Sequence, residues 1–311
     1  MNKVVKVGSR GSALALWQTE HVIGRLKDAH PGVDFEIVII KTQGDKILDV
    51  PLARIGDRGL FVKEIEEALL DGRIDFAVHS LKDLPTEQPQ GLMIGAVSER
   101  VDPRDCLVSP RYRSLSEVPD GAVIGTSSLR RKAQLKAVNP TWEFKDVRGN
   151  LQTRLGKLDA GEYDALVLAT AGLVRLGLGD RVAEPLDPAV CLPAVGQGAL
   201  AIECRSNDPE TLALLATIED GPTRACVTAE RTLLAELEGG CQVPIGAHAQ
   251  LDGESLTLEA MVASLEGDRQ LRVTVKGAPA DAVALGREAA QELLDQGTDE
   301  ILAAIRPISL P

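Results

Sequence analysis

Val7-Gly8-Ser9-Arg10-Gly11-Ser12 and Val123-Ile124-Gly125-Thr126-Ser127-Ser128 are two copies of one pattern: an apolar strand end, a glycine and a hydroxyl run. Each opens a stretch of helical periodicity. The first runs from Ser12 to Asp28 through Leu14, Leu16, Trp17, Val22, Ile23 and Leu26, and the second from Leu129 to Val138. The echo continues downstream. His30-Pro31, before the strand Phe35 to Lys41, is matched by Asn139-Pro140 before the next strand. Leu70-Asp71-Gly72-Arg73-Ile74-Asp75-Phe76-Ala77-Val78 is matched by Asp159-Ala160-Gly161-Glu162-Tyr163-Asp164-Ala165-Leu166-Val167. Two lobes of one α/β plan are the economical reading.

Strands alternating with helices predict mostly parallel sheets, whose ligands bind beyond the carboxyl ends of the strands, near helix N-termini. Two such lobes facing each other would form a cleft with anion sites on each wall. The hydroxyls at both places have two readings that stay open: helix N-caps, or anion ligands working with Arg10 in one copy and Arg130-Arg131 in the other. Between the first lobe's second strand and its helix Val62 to Leu70, Gln43-Gly44-Asp45 through Gly56-Asp57-Arg58-Gly59 reads as a long mobile loop. A third region begins near Asp220-Gly221-Pro222, with a helix from Thr223 to Leu237. Strands follow around Ala247 to Leu251, Leu256 to Val262 and Leu271 to Val275, then a helix from Ala280 to Leu294, which is a small α+β pattern.

A chain of 311 residues is too long for one ordinary core and implies two or three domains. The N-terminus has neither an apolar signal core nor a small-residue cleavage site, and no stretch approaches a transmembrane span, so a cytoplasmic location is expected. The net charge of −12 argues against nucleic acid and anionic membranes as partners. That average hides a local inversion. Gly121 to Arg181 holds ten Lys/Arg against six acids, a basic segment suited to a confined anion site. The five cysteines (Cys106, Cys191, Cys204, Cys226, Cys241) have no CxxC pair, and the four histidines have no metal-ligand spacing, so neither a disulfide framework nor a metal is implied.

Three groups of residues can carry chemistry. His79-Ser80-Leu81-Lys82-Asp83-Leu84-Pro85 follows the buried strand Phe76-Ala77-Val78 directly. Lys82 there can bind a carboxylate, and Asp83, kept ionised, can accept two N–H groups or stabilise a developing cation. Arg130, Arg131, Arg148, Arg154 and Arg175 fall after or beside strands of the second lobe. With few acids nearby to neutralise them, they read as a set that grips carboxylates in bidentate fashion. Cys241 lies in Gly239-Gly240-Cys241-Gln242-Val243-Pro244, a turn that frees its sulfur from any packed element. It is either an incidental loop thiol or a nucleophile activated by cations across the cleft. No histidine-asparagine partner arrangement is legible beside it, which argues against a cysteine protease.

Together these motifs resemble the porphobilinogen deaminase (hydroxymethylbilane synthase) family over essentially the whole chain. The resemblance is carried by Ser9-Arg10-Gly11-Ser12-Ala13-Leu14-Ala15, by His79 to Pro85, and by Gly125-Thr126-Ser127-Ser128-Leu129-Arg130-Arg131. It continues in Arg148-Gly149-Asn150 with Thr153-Arg154-Leu155, in Pro193-Ala194-Val195-Gly196-Gln197-Gly198-Ala199, and in Gly239 to Gly246.

The resemblance implies two similar periplasmic-binding-protein-like (type II) α/β lobes with a central cleft, plus a small C-terminal α+β domain. Domain 1 would take residues 1–98 and 199–217, domain 2 residues 103–193 and domain 3 residues 221–311. It implies a monomeric transferase of haem biosynthesis whose Cys241 carries a dipyrromethane cofactor through a thioether. Four porphobilinogen units would join the cofactor's free end in turn, ammonia leaving each time, before water frees the linear tetrapyrrole hydroxymethylbilane. Asp83 would be catalytic, stabilising the cationic azafulvene left when the amine departs. Lys82, Asp83, Thr126, Ser128, Arg130 and Arg131 would hold the cofactor. Arg10, Ser12, Arg148, Arg154 and Arg175 would meet the incoming substrate, with Phe61 shielding the cleft behind a cover formed by Thr42 to Gly59. A two-lobed anion-binding protein of the periplasmic or regulator type shares the duplicated plan, but the third domain and Cys241 count against it.

Overall fold

Gly8 and Gly125 show why the repeated pattern folds alike in both copies. A Cβ at Gly8 would stand 2.4 Å from Ile74 Cδ1, and one at Gly125 would stand 2.4 Å from Leu166 Cδ2 and 2.8 Å from Tyr163 Cδ1. In each copy the apolar side chain of the next parallel segment fills the place of a side chain on the strand, so any larger residue there would have to displace that neighbour. The structure is a computed structural model that describes residues 4–46, 62–237 and 243–305. Cys241, Phe61 and most of the Thr42 to Gly59 cover lie outside the described residues.

The chain runs through β1 (Val4–Ser9), α1 (Ala13–Ala29), β2 (Asp34–Ile39), the single turn α2 (Gln43–Lys46), α3 (Lys63–Leu70), β3 (Phe76–Ser80) and β4 (Leu92–Val97). It continues with β5 (Asp105–Val108), β6 (Val123–Gly125), α4 (Leu129–Val138), β7 (Glu143–Lys145), α5 (Leu151–Asp159), β8 (Ala165–Ala169), α6 (Thr170–Arg175) and β9 (Glu184–Pro185). After these come β10 (Leu200–Arg205), α7 (Pro209–Leu215) and α8 (Gly221–Glu236). Last are β11 (Ile245–Asp252), β12 (Ser255–Ala263), β13 (Gln270–Gly277), α9 (Ala282–Asp295) and α10 (Thr298–Ile305). Two compact units result: one holds the described residues up to 101 with 198–224, the other 102–197 with those from 225 onward.

In the first unit the strand order is β2-β1-β3-β10-β4. β1 runs parallel to β2 and β3, while β10 is antiparallel to both β3 and β4. Val22, Ile23 and Leu26 of α1 cover one face, packing on Val7, Phe76, Val78, Ile202 and Cys204. Ile65, Ala68 and Leu69 of α3 cover the other, with Ala77, Ile74 and Ile40. Both faces are thus buried, and apolar residues occupy both parities of β3.

The second unit repeats the arrangement in the order β7-β6-β8-β5-β9, with β6 parallel to β7 and β8 and with β5 antiparallel to β8 and β9. Leu135 of α4 packs on one face with Leu107, Ile124 and Val167, and Leu155 and Leu158 of α5 on the other with Cys106, Val108 and Leu168. The expectation of mostly parallel sheets holds with one exception in each, since four of the five strands run one way. Each sheet contains an antiparallel strand supplied by a chain crossing, β10 after the second run and β5 before it, because a strand entering from the other run arrives in the opposite sense.

The C-terminal meander β11-β12-β13 is antiparallel throughout. Leu256, Leu258 and Val262 on one face pack with Leu233 of α8 and with Leu285, Ala289 and Leu293 of α9. On the other face Met261 and Ala263 meet Ala133 of α4 and Leu192, so the meander is sandwiched inside the second unit. Two similar α/β sheets followed by a small α+β segment are the class expected. Among the described residues, no helix is long and apolar enough to cross a membrane.

Candidate active site

The first unit brings two of the motifs to one end of its sheet. β1 and β3 are parallel neighbours, Val7 beside Phe76 and Gly8 beside Ala77, so Arg10 with Ser12 and Lys82 with Asp83 follow adjacent strands at their carboxyl ends. Ser12 is the N-cap of α1, its hydroxyl accepting from Ala15 N–H at 3.2 Å. Thr19 ties that first turn to the strand, donating to the Ser9 hydroxyl at 2.9 Å. Leu81, Lys82 and Asp83 form a 3₁₀ turn anchored by Leu81 N–H on the Ala199 carbonyl at 3.1 Å. Leu81 is buried beneath the turn while Asp83 is exposed, which leaves its carboxylate open to a ligand.

The second unit repeats this construction with more cations. Ser128 caps α4, accepting from Arg131 N–H at 3.4 Å, and Asn150 caps α5, accepting from Thr153 N–H at 2.9 Å. Thr126 is buried and accepts from Ser128 N–H at 3.3 Å. The N-cap reading of Ser12 and Ser128 therefore holds. It does not exhaust them, because a hydroxyl that accepts one N–H still has its own proton to donate. Arg148 follows β7, and Arg154 in the first turns of α5 donates from Nε to the Gly149 carbonyl at 2.9 Å. Arg175 closes α6 after β8 and is buried, which pushes its guanidinium down to about 10.

Arg130 and Arg131 are 4% and 7% exposed, and both turn onto one carboxylate, Asp105, at the start of β5. Arg130 Nη1 donates to Asp105 Oδ2 at 2.7 Å and to the Leu192 carbonyl at 2.6 Å. Arg131 reaches Oδ1 with Nε at 3.0 Å and Nη2 at 2.7 Å, and gives Nη1 to the Val167 carbonyl at 3.0 Å. Burial alone would favour a neutral acid at Asp105, but the two guanidiniums win and hold its carboxyl well below the usual carboxylate range. The expectation that the basic segment lacks a neutralising acid is thus corrected in part. The acid comes from outside the segment, 25 residues before Arg130. It matches only one of two charges.

Asp105 was not among the residues singled out from sequence, although an acid opening the apolar strand Asp105-Cys106-Leu107-Val108 is itself a signal. Gln197, in the Pro193 to Ala199 motif, is buried and donates from Nε2 to Asp105 Oδ1 at 2.9 Å, a role the motif alone does not reveal. Sequence reasoning also missed a buried pair in the first unit, His79 Nε2 at 3.1 Å from Glu203 Oε2. The cavity of about 420 Å³ lined by Ser109 to Arg113 and Asp180, Arg181 and Ala183 contains none of the expected site residues. Two of its arginines are already matched there, Arg111 by Asp164 at 2.9 Å and Arg181 by Asp159 at 2.6 Å.

Comparison with known proteins gives a consistent picture. Residues 5–213 match the family profile described as "Porphobilinogen deaminase, dipyromethane cofactor binding domain", and residues 224–295 match "Porphobilinogen deaminase, C-terminal domain". A porphobilinogen deaminase of Synechococcus elongatus is 56% identical over 310 residues, covering 97% of both chains. One from Desulforamulus reducens is 52% identical over 306 residues, covering 98% of this chain and 99% of the relative. Among solved structures, a periplasmic substrate-binding protein of an ABC transporter from Coxiella burnetii aligns with a TM-score of 0.45 at 14% identity, over 73% of this chain and 94% of that one.

Proposed function

The chain belongs to the porphobilinogen deaminase family, and on that premise we propose how its residues divide the work. The enzyme is a transferase, hydroxymethylbilane synthase. It condenses four porphobilinogen units head to tail on a dipyrromethane cofactor with release of ammonia, and then releases the linear tetrapyrrole to water.

The observation that carries the residue assignment is the placement of cations after parallel strands. Arg10 follows β1, Lys82 follows β3, Arg130 and Arg131 follow β6, Arg148 follows β7 and Arg175 follows β8. Each lies beyond a carboxyl end, where α/β sheets bind ligands. The donor set fits a dipyrromethane bearing acetate and propionate groups: two buried guanidiniums share one acid, and the helix-capping hydroxyl of Ser128, with its own proton still to donate, stands beside them. When bound, that group supplies the nucleophilic pyrrole carbon on which the chain grows.

In this reading Cys241 anchors the cofactor through its sulfur. Lys82, Thr126, Ser128, Arg130 and Arg131 orient the cofactor's carboxylates. Arg10, Ser12, Arg148, Arg154 and Arg175 receive the acetate and propionate of incoming porphobilinogen, and Phe61 excludes water. Asp83 accepts pyrrole N–H groups and stabilises the cation that develops on the substrate's methylene carbon as ammonia leaves. The three-domain division at 1–98 with 199–217, 103–193 and 221–311, a cytoplasmic location and a monomeric state complete the proposal.

Intact-mass measurement tests the anchor. The purified protein should weigh two linked pyrroles more than its sequence and react with Ehrlich's reagent, and Cys241→Ser should do neither. A Cys241→Ser protein that still carries the added mass, or an unmodified wild-type chain that turns over porphobilinogen, refutes the assignment.

A further inference from the structure

Two buried guanidiniums on one buried carboxylate leave the Arg130–Arg131–Asp105 cluster with a net positive charge inside the protein. Asp105 is 0% exposed and saturated with donors. Oδ1 accepts Arg131 Nε and Nη2 and Gln197 Nε2 at 3.0, 2.7 and 2.9 Å. Oδ2 accepts Arg130 Nη1 at 2.7 Å and the Cys191 thiol at 3.4 Å. Burial and the Asp105 charge push the Cys191 thiol up to about 12, so it stays protonated and donates. The surrounding shell is equally constrained. Gln197 Nε2 also donates to the Pro103 carbonyl at 2.7 Å, and Gln134 accepts Leu192 N–H at 2.7 Å and donates to the Leu192 carbonyl at 3.1 Å.

Such a cluster has more order than a salt bridge needs. A buried ion pair is costly to desolvate, and a second buried cation without its own acid is costlier still, so stability alone does not explain it. Held this way, the two guanidiniums have few rotamers left, and the one charge that Asp105 does not match favours a further anion. We infer that Asp105 is a positioning residue that, with Gln197, presets Arg130 and Arg131 to receive a carboxylate of the dipyrromethane cofactor. Asp105 touches no ligand itself. It acts by fixing where the arginine N–H groups point before the cofactor arrives, which removes the cost of ordering two long side chains at binding.

The inference rests on the assignment of Arg130 and Arg131 to cofactor carboxylates, and the experiment separates the two. Full-length apoprotein, made in cells that cannot form porphobilinogen, is mixed with porphobilinogen, and the rate at which chains gain two pyrroles is followed by intact mass. Circular dichroism reports folding in parallel. Asp105→Asn that folds should gain the added mass at least about tenfold more slowly than the parent, since small misplacements of binding groups carry penalties of that order. Gln197→Leu, which changes no charge, should keep the parent's fold and also slow uptake, and it decides the matter if Asp105→Asn does not fold. Arg131→Leu serves as the reference. Slow uptake in Arg131→Leu with parent-like uptake in folded Asp105→Asn, or in Gln197→Leu should Asp105→Asn not fold, overturns the role of Asp105 alone. Parent-like uptake in Arg131→Leu overturns the arginine assignment and the inference with it.

Discussion

Replacing Glu66 by glutamine should make this enzyme more stable in alkaline solution and leave it unchanged in acid. Glu66 stands on α3, half-buried, and its carboxyl is pushed up from 4.5 to about 7. Burial is the main cause, the negative charge of Glu203 on β10 adds to it, and His79 on β3 opposes it. An unfolded chain would ionise this carboxyl near 4.5, so between pH 4.5 and about 7 the folded protein holds the extra proton. Stability from this group is therefore complete below about 4.5 and is lost as pH rises to about 7. At about 1.4 kcal/mol per pH unit the loss would reach roughly 3 kcal/mol, but the residue is only partly buried, and screening reduces the figure to about 1–2 kcal/mol. Glutamine preserves the shape and cannot ionise. Urea unfolding of the parent and Glu66→Gln should coincide at pH 4.5, and the variant should lead by about 1–2 kcal/mol at pH 8. The same gap at both pH values, or none at pH 8, would show that Glu66 ionises freely in the fold and would refute the argument.

Asp83→Asn should keep the added mass of the cofactor yet lose turnover by about 10²- to 10³-fold, the usual effect of removing one preorganised electrostatic contact at a reacting centre. Near-normal turnover of porphobilinogen, followed by product formation, would remove Asp83 from its role. Gly125→Ala should destabilise the protein by about 1–3 kcal/mol in denaturant unfolding, because its methyl would stand 2.4 Å from Leu166 Cδ2 inside a packed sheet face. An unchanged unfolding midpoint would mean that Tyr163 and Leu166 yield more easily than the packing implies.

What could be read in the amino acids was whatever depends on neighbours a few residues away. The two copies of strand, glycine, hydroxyl and helix were visible because the caps at Ser12 and Ser128 are contacts over three residues, with Ala15 and Arg131. The helix spans followed from apolar periodicity, which a helix must show if one stripe is buried. The cations after strand ends were equally local, since strand, loop and helix start follow one another in the chain. The assignments of Cys241 and Phe61 still stand on their motifs alone. Folding in three dimensions chose the partners. Backbone hydrogen bonds between strands are blind to side chains, so nothing local announced that β10 would enter the first sheet between β3 and β4, or that β5 would lie beside β8. Burial of both sheet faces selects those pairings, and it acts on the whole chain at once. The same holds for charge. Asp105 on β5 meets Arg130 and Arg131 of α4, and Glu203 on β10 meets His79 on the neighbouring β3, because a buried polar or charged group needs a partner wherever in the chain one can be brought.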